Sequence, residues 1–397
     1  RSKMTLKKCG RSLRNHGCYG KIVRMKSNAI PRTGIVDAMA TGLNEAARRP
    51  WLWVVPFLVD LALWLAPRLS VTALTEQLMS TWKAMLPLLY TADQMATVQE
   101  GIDLVQTGMI ELGKSINLGA LLTAGWLAPP SALASMQATR YLLISDAVLA
   151  PLGLGFPVKP LNPSLWQGNA IQVGSVLGVI VIVIALWIIS HLLTAFYFRI
   201  IAHSLPAVRS TVAYGALPAS RQPVTEDQRS LLDGWLPLTG HFAVLSLFAS
   251  VVTFLLRLPL ALVTALTLFS SSVAVQFLFM LTGGITLWLT MWFLSALYFA
   301  GDALAFERQP LAASLAQSLI LARSNGFKVL GLAAVVNLLM LGARAVWGFL
   351  GGNPVGAALA IIVNSYLATA MVIGIYVYFR DIRRQWQAAQ VSRQVNK

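Results

Sequence analysis

The sequence predicts an all-α, polytopic integral membrane protein with about six transmembrane helices and additional amphipathic interfacial helices. Three observations carry this. The 397 residues are 56% hydrophobic and 12% charged, about half the charged share of a soluble domain. No Asp, Glu, Lys or Arg occurs from Pro160 to Phe198, and about 20 such residues, rising ~1.5 Å each, cross a ~30 Å hydrocarbon core. Lys and Arg recur at every second connection between apolar segments, the asymmetry that sets orientation in a bilayer.

Residues 1–33 carry ten Lys/Arg and no acid. They read as a basic, disordered tail beside a membrane, with Met4 and Met25 as candidate starts and residues 1–24 as candidate upstream sequence. Such a tail suits anionic headgroups better than nucleic acid. No apolar stretch precedes Trp51, so no cleavable signal peptide is expected. Cys9, His16 and Cys18 lack a fourth ligand and match no zinc spacing. No metal, other cofactor or disulfide is expected.

The elements follow in order. Residues 34–50 read as an interfacial helix and 51–69 as the first span. Residues 70–172 form the one long extramembrane region. In it, Val71, Leu74, Leu78, Trp82 and Met85 recur at helical spacing, and so do Met95, Val98, Ile102, Val105 and Met109. These are two amphipathic helices, read either as a packed cap or as lying in the outer interface, before the Pro-rich 151–163. The second span is 173–198, then a loop 199–241, a third span 242–262 and a fourth 273–299. Residues 300–328 read as a cytoplasmic amphipathic helix lying flat on the headgroups, with Leu311, Leu315, Leu319 and Ala322 as its apolar stripe. The fifth span is 329–350, the sixth 355–379, and 380–397 is a basic tail.

Charge fixes the expected orientation. Arg48 and Arg49 precede the first span. Arg199, Arg209, Arg221 and Arg229 follow the second, and Arg308, Arg323 and Lys328 lie between the fourth and fifth. Arg380, Arg383, Arg384, Arg393 and Lys397 follow the sixth. Residues 68–174 hold five Lys/Arg against six Asp/Glu. Both termini are therefore expected in the cytoplasm, with an even number of spans, and a bacterial plasma (inner) membrane is the expected home.

The chemistry is sparse. Gly108–Ser115 fits G-x-x-x-x-G-K-[ST], but the residues before it have helical periodicity, whereas a phosphate loop needs a preceding strand. Gly113 is better read as a helix C-cap. Asp60 lies mid-span after Pro56, at a depth costing roughly 2.5–3.5 kcal/mol on insertion scales. It asks for a partner, for example His191, Asn337 or Asn364, for a neutral protonated carboxyl, or for an ion pathway. Arg344 is placed to snorkel, and Arg257 likewise. No H-E-x-x-H, no G-x-S-x-G and no metal-spaced carboxylates occur, nor two Asp in adjacent spans. No catalytic residue is expected.

Three stretches carry a resemblance. Glu45–Trp53 (EAARRPWLW) opens a span containing Pro and Asp. Glu307–Gly331 is an acidic, Ser-rich lead through Arg323 and Asn325 into the next span. Tyr376–Arg384 (YVYFRDIRR) is a closing aromatic and basic signature. In this order they resemble an uncharacterised family of bacterial six-helix membrane proteins, related to the membrane domain fused to some glycerophosphodiester phosphodiesterases. The resemblance covers about 40–55 and 295–385. Arg380 and Asp381 are transposed against that pattern, 70–172 has no counterpart, and no stretch reads as the αβ-repeating catalytic barrel. The resemblance implies a fold and a membrane address, not that activity. The expected role is a non-enzymatic envelope accessory or scaffold, with a membrane-protein partner or a second copy of itself. The alternative is a transport or permease-type component for a small solute or lipid.

Overall fold

A computed structural model of the chain describes residues 34–88, 91–115, 117–123, 170–205, 234–269, 272–307, 309–350 and 353–395. The basic segment 1–33, with Cys9, His16 and Cys18, and the Pro-rich 151–163 lie outside these. Helix α1 is Ile35–Arg48. A 3-10 turn, Pro50–Trp53, leads into α2, Val54–Leu65. Then come α3 (Thr72–Met85), α4 (Ala92–Ser115), α5 (Val176–Ser204), α6 (Trp235–Phe269) and α7 (Val273–Leu297). The chain closes with α8 (Ala300–Glu307), α9 (Leu311–Leu350) and α10 (Pro354–Val395). The protein is an all-α, multi-pass integral membrane protein. Among the described residues five helical stretches are long and apolar enough to cross a bilayer: Val176–Ser204, Trp235–Val263, Val273–Glu307, Leu311–Met340 and Pro354–Gln390.

Several long helices start on a polar cap. Ser175 accepts from the Gly178 N–H at 3.0 Å. Ser272 accepts from the Val275 N–H at 3.4 Å. Asn353 accepts from the Gly356 N–H at 2.7 Å, just before Pro354, which suits a first helical position. Away from these caps, Leu177, Ile180, Ile184, Phe254, Leu262, Phe277 and Met280 are exposed on α5, α6 and α7. An apolar surface of this extent belongs in lipid.

The first expected span is short. Pro50–Leu65 is apolar, and α2 alone rises only about 18 Å. Its ends nevertheless reach both ends of α5. The Trp51 indole N–H donates to the Ser204 hydroxyl at 3.3 Å, and Leu69–Ser70 (β1) pairs in parallel with Ile171–Gln172 (β2). The extended residues after α2 supply the reach that the helix lacks. The segment from Trp51 to Ser70 thus runs the length of α5 in the opposite sense.

The core lies where α5, α6, α7, α8, α9, α10 and α1 meet. Tyr197, Phe198, Phe242, Tyr298, Phe299, Leu304, Leu332 and Phe379 are buried together there. Helix α1 is not free to lie alone on headgroups: its Ala38, Gly42 and Ala46 form a buried small-residue face against α10. A Cβ on Gly42 would sit 2.1 Å from the Ala370 carbonyl oxygen, and one on Gly374 would sit 2.6 Å from the Met39 methyl. Successive residues of α1 meet successively earlier residues of α10, so the two helices are antiparallel. Small residues four apart permit this approach of backbones.

Other boundaries also differ from the sequence reading. The 199–241 loop is helical at both ends, through Ser204 and from Trp235. The 380–397 tail continues α10 to Val395. The 300–328 region is not one flat helix. Helix α8 is almost wholly buried, and α9 is one rod bent at Asn325 (φ −134°, ψ 30°). The buried face of α9 is Ser314, Ser318, Leu321 and Ala322, with Leu311 and Leu315 partly buried against the core; of the expected apolar stripe only Leu319 is exposed. Hydrogen bonding decides this register. The Ser318 hydroxyl donates to the Ala296 carbonyl at 2.6 Å and accepts from the Phe299 N–H at 3.1 Å, so it satisfies the break between α7 and α8.

Candidate functional site

The polar residues within the spans are the sequence-derived candidates. Asp60 is fully buried on α2, on the face it shares with Val55, Pro56 and Val59, and α2 packs on α10. Pro56 stands in the first turn of α2, where it costs no hydrogen bond. His191 is buried on α5. Its Nδ1 donates to the Trp187 carbonyl at 2.7 Å, and its ring lies 4.5 Å from the Trp187 ring. Asn364 is fully buried on α10 and accepts from the Trp347 indole N–H at 3.2 Å. Asn337 is half-buried on α9, and among the described residues its Oδ1 has no hydrogen-bond partner. Of Arg344 only the backbone is described, within α9. His191 and Asn364 are thus held by separate tryptophans, one by a turn of its own helix, the other across the α9–α10 pair.

Other buried polar groups behave in the same way. The Tyr197 hydroxyl donates to Thr369 at 3.0 Å, joining α5 to α10. The Trp235 indole donates to the Leu192 carbonyl at 3.1 Å, joining α6 to α5. The Tyr366 hydroxyl donates to the Leu43 carbonyl at 3.1 Å, joining α10 to α1.

Helix α8 holds the strongest cluster. Glu307 pairs with Arg383. Phe306 stacks on Tyr376 with ring centroids 3.8 Å apart, and the Arg380 guanidinium lies 5.8 Å from that same ring. Asp302 is fully buried on α8, and Asp381 accepts from the Gln385 amide at 2.7 Å. Two of the three stretches in the sequence resemblance therefore touch each other, and the third, around Trp51, packs on α10. Asp302 escaped sequence reading because it sits in a short Ala-rich turn after a span, where an exposed acid is the ordinary expectation.

At the bend of α9 a groove of about 430 Å³ opens between Met291, Trp292 and Ser295 of α7 and the bend residues Ala322 to Lys328. None of Asp60, His191, Asn337 or Asn364 lines it.

The phosphate-loop pattern is not a phosphate loop. Gly108–Ser115 is the end of the continuous helix α4. Gly113 is inside that helix rather than its C-cap, and a Cβ there would meet the Thr75 hydroxyl at 2.2 Å. It is the point where α4 crosses α3. Among the described residues no three His, Cys, Asp or Glu side chains gather to hold a metal ion.

No known protein family, curated protein or solved structure matches the chain.

Proposed function

We propose that this chain is a non-enzymatic scaffold or accessory component of a bacterial envelope. It sits in the plasma membrane with both termini in the cytoplasm and offers its exposed helical faces to a membrane-protein partner. The observation that carries this reading is how the polar groups within the spans are used. Tyr197, Trp235, Trp347, Asn364 and Tyr366 are spent on pairwise ties between helices, which hold a bundle in one shape. The resemblance to the membrane domain of some glycerophosphodiester phosphodiesterases supports the same membrane address.

Transport is the second reading, favoured by the fully buried Asp60, since an intramembrane carboxyl is the ordinary mark of an ion path. Reconstitution separates the two. The full chain in proteoliposomes, under imposed proton and sodium gradients, is expected to leak no faster than empty liposomes. A flux that the chain produces and Asp60→Asn removes would replace the scaffold with a transporter. In native membranes the scaffold is expected to migrate as a larger complex than the purified chain. That complex should survive Asp60→Asn.

A further inference from the structure

We infer that the groove at the bend of α9 is a binding site for one anionic phospholipid. Its charge is the first argument. Arg323 and Lys328 flank the bend, both side chains are exposed, and among the described residues neither makes an ion pair. Ser324 and Asn325 lie between them, with the Asn325 amide donating to the Ser324 hydroxyl at 3.0 Å. One guanidinium and one ammonium group beside small hydroxyl and amide groups make a recess suited to a phosphate diester.

The apolar wall names the rest of the ligand. Met291, Trp292 and Leu330 line the groove. Trp288, one turn from Trp292, meets it edge to face at 6.5 Å, and both indoles are about half exposed on α7. They extend the wall along an apolar helix of membrane-crossing length. Phe327 stands between the two cations and is 93% exposed. A phenyl ring so bare beside Lys328 fits the boundary between acyl chains and headgroups. A soluble anion would use the cations and leave the aromatics unexplained. A second copy of the chain would bring its own Arg323 and Lys328 against these. A volume of about 430 Å³ holds a headgroup, and its open side lets the acyl chains run along Trp288 and Trp292.

The test is native mass spectrometry of the full chain in detergent, titrated with phosphatidylglycerol or with phosphatidylcholine of identical acyl chains. One phosphatidylglycerol is expected to bind in preference. Arg323→Gln with Lys328→Gln is expected to weaken that event about 30-fold, at roughly a fivefold loss per cation near a membrane surface. Arg323→Lys with Lys328→Arg should keep the preference, and so should the distant Lys114→Gln. Equal binding of the two lipids, or an unchanged preference in the double Gln variant with its helicity intact, would overturn the site. Displacement of the lipid by glycerol phosphate at equal concentration would also overturn it, because a soluble anion would then be the ligand.

Discussion

Ser318 is a small residue with a large structural task. Its single hydroxyl closes two backbone groups, the Ala296 carbonyl and the Phe299 N–H, at a buried helix break. Removing it leaves a donor and an acceptor without a partner where water has little access. A group stranded in that way costs about 1–3 kcal/mol. Ser318→Ala is therefore expected to destabilise the detergent-solubilised protein by about that amount. The exposed Ser324→Ala should change it by a few tenths only. Denaturation midpoints of the two variants check the contrast, and equal midpoints would remove Ser318 from this role. The Ser-rich character of 311–324 was visible in the sequence, but its partner lies across a break in another helix. The expected apolar stripe of Leu311, Leu315, Leu319 and Ala322 therefore lies beside the serines rather than on them, and only its Leu319 is exposed.

At the scale of elements, the α1–α10 pair and the α3–α4 pair are held by different physics. In the first, backbones touch through glycine. A Cβ on Gly42 would press on a carbonyl oxygen, which moves only with α10 itself, whereas one on Gly374 would press mainly on the end of the Met39 side chain. Gly42→Ala is thus expected to cost about 1–3 kcal/mol, and Gly374→Ala less, since Met39 can swing away. A larger loss for Gly374→Ala would contradict this packing. In the second pair, Lys83 on α3 donates to Asp103 on α4 at 3.1 Å. The Lys83 hydrogen bond, with help from Gln99, holds the Asp103 carboxyl below its ordinary value. A carboxyl depressed in the folded state stabilises fully above its ordinary pKa of about 4 and ceases to as pH falls through the depressed value. Hydrogen exchange of α4 amides should be flat from about pH 7 to 5, after correction for intrinsic rates, and protection should fall below about pH 4. Lys83→Met should flatten that acid limb, and an unchanged limb would exclude the pair as its cause.

The legibility of these elements followed the range of the forces involved. Apolar runs long enough to cross a bilayer are local, and the expected spans 273–299, 329–350 and 355–379 each share one end, to within a residue, with α7, α9 and α10. The pairing of Ala38, Gly42 and Ala46 with Ala370 and Gly374 is a relation between segments more than 320 residues apart in the chain. Small residues four apart were its only trace. Of the candidate polar residues Asp60, His191 and Asn364 are buried, and they stand out in the sequence because charge and amide groups contrast with hydrocarbon. Their partners do not, since Trp187 and Trp347 carry no mark distinguishing them from the other indoles.

At the scale of the whole molecule, one arrangement accounts for the alternating charges and for the ties at the helix ends. The segment from Trp51 to Ser70 and α5 run the same distance in opposite senses, fastened at both ends. Five helical stretches among the described residues are long enough to cross; on the topology proposed above the segment from Trp51 to Ser70 crosses as well, which would make six crossings and return the chain to the side on which it began. On that account Lys114 at the end of α4 and Ser392 near the end of α10 lie on opposite faces of the membrane. Both side chains are exposed, and the only cysteines are Cys9 and Cys18. A Cys9→Ser, Cys18→Ser background is therefore silent to thiol reagents. Labelling of intact cells with a membrane-impermeant maleimide tests the central claim directly. Lys114→Cys should react in intact cells, and Ser392→Cys only after the membrane is opened. Reaction of both from one side would contradict the odd number of crossings, α5, α6, α7, α9 and α10, that this path places between α4 and the end of α10.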